Sequence, residues 1–76
     1  MSITIIPVGV LKSFVHAKEL LALEGKEGQN LETVCREIGL PVDVIALFFV
    51  NGKIEPKHYV LRSGDEVKVV ALAAGG

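Results

Sequence analysis

Seventy-six residues, half of them hydrophobic, provide for one small core and exclude a second domain. Eight Lys plus Arg against nine Asp plus Glu leave a net charge of −1, and the basic residues are scattered from Lys12 to Lys68, which argues against the concentrated basic face that nucleic acid requires. The single Cys35 excludes an internal disulfide and suits a reducing cytosol; no apolar run approaches the ~18 residues of a membrane span and the N-terminus lacks a basic signal region, so a soluble cytoplasmic protein is expected.

The first β-branched run, Ile3 to Val8, predicts a short strand with Ile3 and Ile5 facing a core, ended or bulged by Pro7 and Gly9 because proline donates nothing to a ladder. Val10 to Ala17 reads as an irregular turn. A second strand follows over Lys18 to Glu24, with Leu21 and Leu23 pointing inward and Gly25 and Gly28 closing it.

Leu31, Val34, Cys35 and Ile38 follow the i, i+3, i+4, i+7 spacing of one apolar helix stripe. Asn30 is placed to cap that helix, Glu32 meets the positive end of its dipole, and Gly39 supplies a left-handed stop before Leu40-Pro41. The predicted helix therefore runs over Leu31 to Ile38.

Ile45 to Val50 reads as a buried strand, and Asn51-Gly52 as a primed turn that opens a longer excursion through Pro56. After a reversal at Ser63-Gly64-Asp65, the last strand covers Glu66 to Leu72. Its alternation groups Val67, Val69 and Ala71 on one face and Lys68, Val70 and Leu72 on the other. The chain then ends in Ala73-Ala74-Gly75-Gly76, a thin arm whose α-carboxylate an enzyme cleft can accept without colliding with side chains. That carboxylate is the candidate reactive group.

Two strands, a helix and two further strands in so short a chain predict an α+β fold, a mixed sheet packed on one main helix with its first and last strands adjacent near the middle. The β-grasp, or ubiquitin-like, arrangement has this form, and pattern alone makes it one of several small α+β folds. The stretch Phe49-Val50-Asn51-Gly52-Lys53, then Leu61-Arg62-Ser63-Gly64-Asp65-Glu66-Val67, then the terminal Gly75-Gly76 resembles the ThiS/MoaD family of sulfur carriers, which comprises the thiamine sulfur-carrier protein and the small subunit of molybdopterin synthase. The resemblance implies one ubiquitin-like domain over 1–76 with a flexible Gly-Gly tail.

It further implies that the protein is not itself an enzyme. An adenylyltransferase akin to the ubiquitin-activating enzyme would spend ATP to convert the Gly76 carboxylate to an acyl-adenylate. A cysteine desulfurase or persulfide protein would then supply sulfur for a terminal thiocarboxylate, which an acceptor synthase consumes for thiamine thiazole or molybdopterin. Adenylation is needed because carboxylate is a poor electrophile, whereas AMP is a competent leaving group; once sulfur is installed, its polarizable anion is the nucleophile. No bound cofactor, metal or catalytic side chain is implied. The alternative on the same tail is a ubiquitin-like modifier joined through Gly76 to lysines, and a more remote one is a noncatalytic binding module. The uncharged Leu72-Ala73-Ala74 departs from the arginines that precede the glycines of ubiquitin, which disfavours ubiquitin-type conjugating machinery.

With Val67 and Val69 inward and Leu47 facing the helix, Phe48, Val70 and Leu72 form the expected partner-binding patch on the opposite sheet face. The remaining reactive side chains read as structural. Cys35 lies on the apolar helix stripe, His16 and His58 lack metal-ligand spacing, and Asp65 and Glu66 are turn and surface charges rather than an acid-base pair.

Overall fold

The computed structural model describes residues 2–15 and 20–72. Strand β1 covers Ile3–Pro7, a 3-10 turn Gly9–Leu11 leads into a single-turn helix α1 at Lys12–Val15, and β2 is Leu21–Leu23. Helix α2 covers Leu31–Glu37, a second 3-10 turn Val42–Val44 precedes β3 at Ile45–Val50, and β4 (Lys53–Glu55) and β5 (Glu66–Ala71) complete the set. The five strands form one sheet in the order β2-β1-β5-β3-β4. β1 and β5 are parallel neighbours at its centre, and the other pairs are antiparallel.

Apolar residues from three sources meet on one sheet face. Ile3 and Ile5 of β1, Val67 and Val69 of β5, and Phe48 and Val50 of β3 pack with Leu31, Val34 and Cys35 of α2, and Leu11, Leu40 and Leu61 seal the edges. The alternation expected for β5 is present: Val67 and Val69 are fully buried and Ala71 packs against the same cluster. Pro7 falls between Thr4 and Val8, whose amides donate to the carbonyls of Asp65 and Val69 at 2.9 and 3.0 Å, so its missing N–H breaks no bond to β5.

Both ends of α2 are closed by local chemistry. Asn30 Oδ1 accepts from the Thr33 amide at 2.8 Å, while the Leu31 and Glu32 amides donate to the Tyr59 and Lys57 carbonyls. At the other end the Gly39 and Leu40 amides bond back to Arg36 and Cys35 at 3.2 and 2.9 Å. Gly39 sits at φ +93°, which completes a Schellman motif. The helix start is thereby tied to the segment that follows β4.

Three local expectations are corrected. The irregular turn over Val10 to Ala17 contains a 3-10 turn and α1, too short for apolar periodicity to register. The second strand is Leu21–Leu23, and Lys18 and Glu19 of its expected span lie outside the described residues. Asn51-Gly52 closes a tight two-residue hairpin with Val50 opposite Lys53, so β4 begins where an excursion was expected. Asn51 at φ 52° and Gly52 at φ 86° give both turn residues the left-handed backbone of a type I′ turn.

Candidate functional site

The two sequence motifs that precede the tail meet in space. Asn51, from the β3–β4 turn, donates through Nδ2 to Asp65 Oδ1 at 2.9 Å and accepts through Oδ1 from the Glu66 amide at 2.9 Å. Asp65 Oδ2 accepts from the Tyr59 hydroxyl and from the Arg62 amide, both at 2.9 Å. One carboxylate thus fastens the hairpin, the Tyr59 segment and the 62–65 turn to the start of β5.

Asp65 is 5% exposed, which corrects its reading as a surface charge. Burial by itself raises its carboxyl, but hydrogen bonds from the Arg62 amide, Asn51 and Tyr59, with the Arg62 charge, outweigh that effect and hold it below the ordinary carboxylate range. The Tyr59 hydroxyl is pushed up, by burial first and then by its bond to Asp65, so it remains a donor. Glu66 is exposed and donates through its backbone amide to Asn51.

The opposite sheet face carries the second feature. Leu47 lies across from Val70, Phe49 across from both Lys68 and Ile54, and Ile6 beside Lys68, so these side chains share the face away from the core. Leu47, Ile54 and Leu72 are exposed, Val70 is half-buried, and the exposed Val44 lies near Leu72. The Leu72 amide donates to the Val44 carbonyl at 2.8 Å, which anchors the end of β5 to the turn before β3. A groove of about 450 Å³, lined by Val42, Ile45, Leu47, Ile54 and Pro56 among others, runs beside this face.

Of the expected patch, Val70 and Leu72 lie on this face and Phe48 does not. Phe48 is 6% exposed and belongs to the core, and Leu47, 38% exposed, takes its place. The cause is a register irregularity between Ile45 and Leu47: Ile45 pairs with Ala71 but Leu47 pairs with Val70, leaving Ala46 as an extra residue. Strict alternation from Ile45 sends Leu47 inward; the extra residue reverses parity, so Ile45 and Phe48 both reach the core. Only the exposure of Leu47 and the bulge itself reveal this, and neither has a signature in the apolar run Ile45–Val50.

Cys35 is fully buried, and desolvation pushes its thiol up to about 12, so it packs as a small apolar group. His58 is exposed, and among the described residues no cluster of His, Cys, Asp or Glu is arranged to hold a metal. His16 and the tail residues Ala73, Ala74, Gly75 and Gly76 lie outside the described residues. No helix of the described residues is long and apolar enough to cross a membrane.

Comparison with known proteins agrees with this architecture. The model of the ThiS family matches residues 10–76, which takes in every α-helix and strand after β1 as well as the terminal glycines. Among solved structures, the crystal structure of SAMP1 from Haloferax volcanii is similar over 100% of both chains, with a TM-score of 0.72 and 13% sequence identity. That likeness speaks to the β-grasp fold. No curated protein matches the chain.

Proposed function

The chain belongs to the ThiS family of small ubiquitin-like carriers, and on that premise we propose that it carries sulfur on Gly76. A partner adenylyltransferase joins the Gly76 carboxylate to the AMP portion of ATP and releases pyrophosphate. Persulfide sulfur from a donor protein then attacks the acyl carbon and expels AMP. A thiol frees the thiocarboxylate by taking the donor sulfur into a disulfide, and an acceptor synthase uses the thiocarboxylate to build thiamine thiazole or molybdopterin.

The single observation that carries this reading is that the family match extends through Gly75-Gly76. The sheet supports it, because β5 runs into an exposed Leu72 whose backbone amide bonds to Val44, beyond Val70 and its cross-strand neighbour Leu47. In this reading that apolar face is where the activating enzyme docks, with Ala73 and Ala74 leading Gly76 into its cleft. The described domain positions; its partners react.

Incubation with an activating enzyme, ATP and a sulfur donor tests the proposal. Exchange of oxygen for sulfur raises the intact mass by about 16 Da, and fragmentation should localise the gain to Gly76 rather than to oxidised Cys35. An unchanged mass defeats the carrier reading, and accumulation of heavier species linked through Gly76 to lysines assigns the chain to protein modification instead.

A further inference from the structure

The Asp65 corner also holds a reactive pair that sulfur transfer does not use. In Asn51-Gly52 the peptide nitrogen that follows the asparagine belongs to a residue with no Cβ, so nothing shields it from the asparagine side chain. Attack by that nitrogen forms a bond to Asn51 Cγ and breaks the Cγ–Nδ2 bond, and Nδ2 leaves as ammonia with the proton from the Gly52 amide. One water then opens the five-membered imide to aspartate or to its β-linked isomer. No oxidant, reductant or enzyme is needed.

The fold opposes this reaction at its first step. Closing the ring requires Asn51 Cγ to turn toward the Gly52 nitrogen, yet both polar atoms of the side-chain amide are engaged across the sheet, Nδ2 with Asp65 Oδ1 and Oδ1 with the Glu66 amide. The Asp65 carboxylate is itself held by Tyr59 and Arg62, so releasing Asn51 means opening the corner. We propose that Asn51 is a latent deamidation site, kept intact by the Asp65 corner and exposed to reaction whenever that corner opens.

Reaction would also prevent the corner from closing again. A carboxylate at position 51 sets an acceptor against Asp65 Oδ1 where a donor stood, and two carboxylates at that separation require a shared proton. The β-linked isomer adds a backbone atom to a two-residue turn and shifts the pairing of Val50 with Lys53. Deamidation is therefore a one-way mark of local opening, independent of whether Gly76 carries sulfur.

The test is incubation of the full chain in mildly alkaline buffer, with peptide mass spectrometry following the gain of about 1 Da at Asn51. Asn30, followed by the bulky Leu31, is the internal reference. In concentrated urea, Asn51 should react at least about tenfold faster than in the native chain, and Asp65→Ala should bring about a comparable acceleration without urea, with Asn30 unchanged. Equal rates for native and unfolded chain overturn the proposal, as does a folded Asp65→Ala variant that reacts at the wild-type rate. Should that variant fail to fold, the wild-type chain in sub-denaturing urea decides: the Asn51 rate must rise in step with hydrogen exchange of the Glu66 amide, and a rate that ignores this opening sinks the idea.

Discussion

The Asp65 corner and the outer face of the sheet invert the usual distribution of polarity. In the corner a carboxylate is 5% exposed and bonded to three donors; on the outer face Leu47, Ile54 and Leu72 stand in water at 38%, 63% and 56% exposure. A buried charge is tolerated only when its hydrogen bonds are made, and in return it admits one arrangement of the segments that supply the donors. Exposed apolar side chains bring little to folding, which leaves them available to a partner. The corner therefore specifies shape, and the face presents surface.

Exchanging adjacent residues of β3 tests this division most sharply. Phe48→Ala should lower stability by about 3–5 kcal/mol in urea unfolding, the usual penalty for an aromatic cavity. Leu47→Ala should stay within about 0.5 kcal/mol of wild type, yet raise the activating-enzyme concentration needed for loading by about tenfold, the scale of one interface anchor. Equal stability losses for the two variants would erase the distinction between core and surface on which the corrected patch rests.

A smaller but still large effect is expected for Asp65→Ala, about 2–3 kcal/mol, because it strands the donors of Asn51, Tyr59 and the Arg62 amide. This term has a pH signature. The folded carboxyl titrates below the ordinary 3.8, so its contribution is complete above the unfolded value and disappears as pH falls through the folded one. Acid unfolding curves of wild type and Asp65→Ala should therefore converge toward low pH; parallel curves would mean that the carboxylate charge contributes nothing. The smallest effect is that of Tyr59→Phe, which removes one of the three donors and should cost about 1 kcal/mol, with no change in Gly76 loading.

How far the chain could be read in advance depended on the range of the cause. Helix α2 was predictable because its stripe, its Asn30 cap and its Gly39 stop act within a few residues, and all three are in place. The faces of β5 followed from strict alternation between Val67 and Val69. Asp65 was misread because its neighbours Ser63 and Gly64 signal only a turn, whereas its burial comes from Asn51 and Tyr59, distant in sequence and close in space.

By itself, then, the amino-acid order determined helix α2, the strands β1, β3 and β5 and the α+β class, because periodicity and turn chemistry are local, and its -NGK-, -SGDEV- and -GG segments carry the family resemblance; α1 and β4 were too short to register. Only the tertiary structure decided that Leu47 faces water and Phe48 the core, and that Asp65 is the knot between two turns. A bulge reverses side-chain parity without changing composition, and a buried carboxylate is defined by donors that only the folded chain brings together.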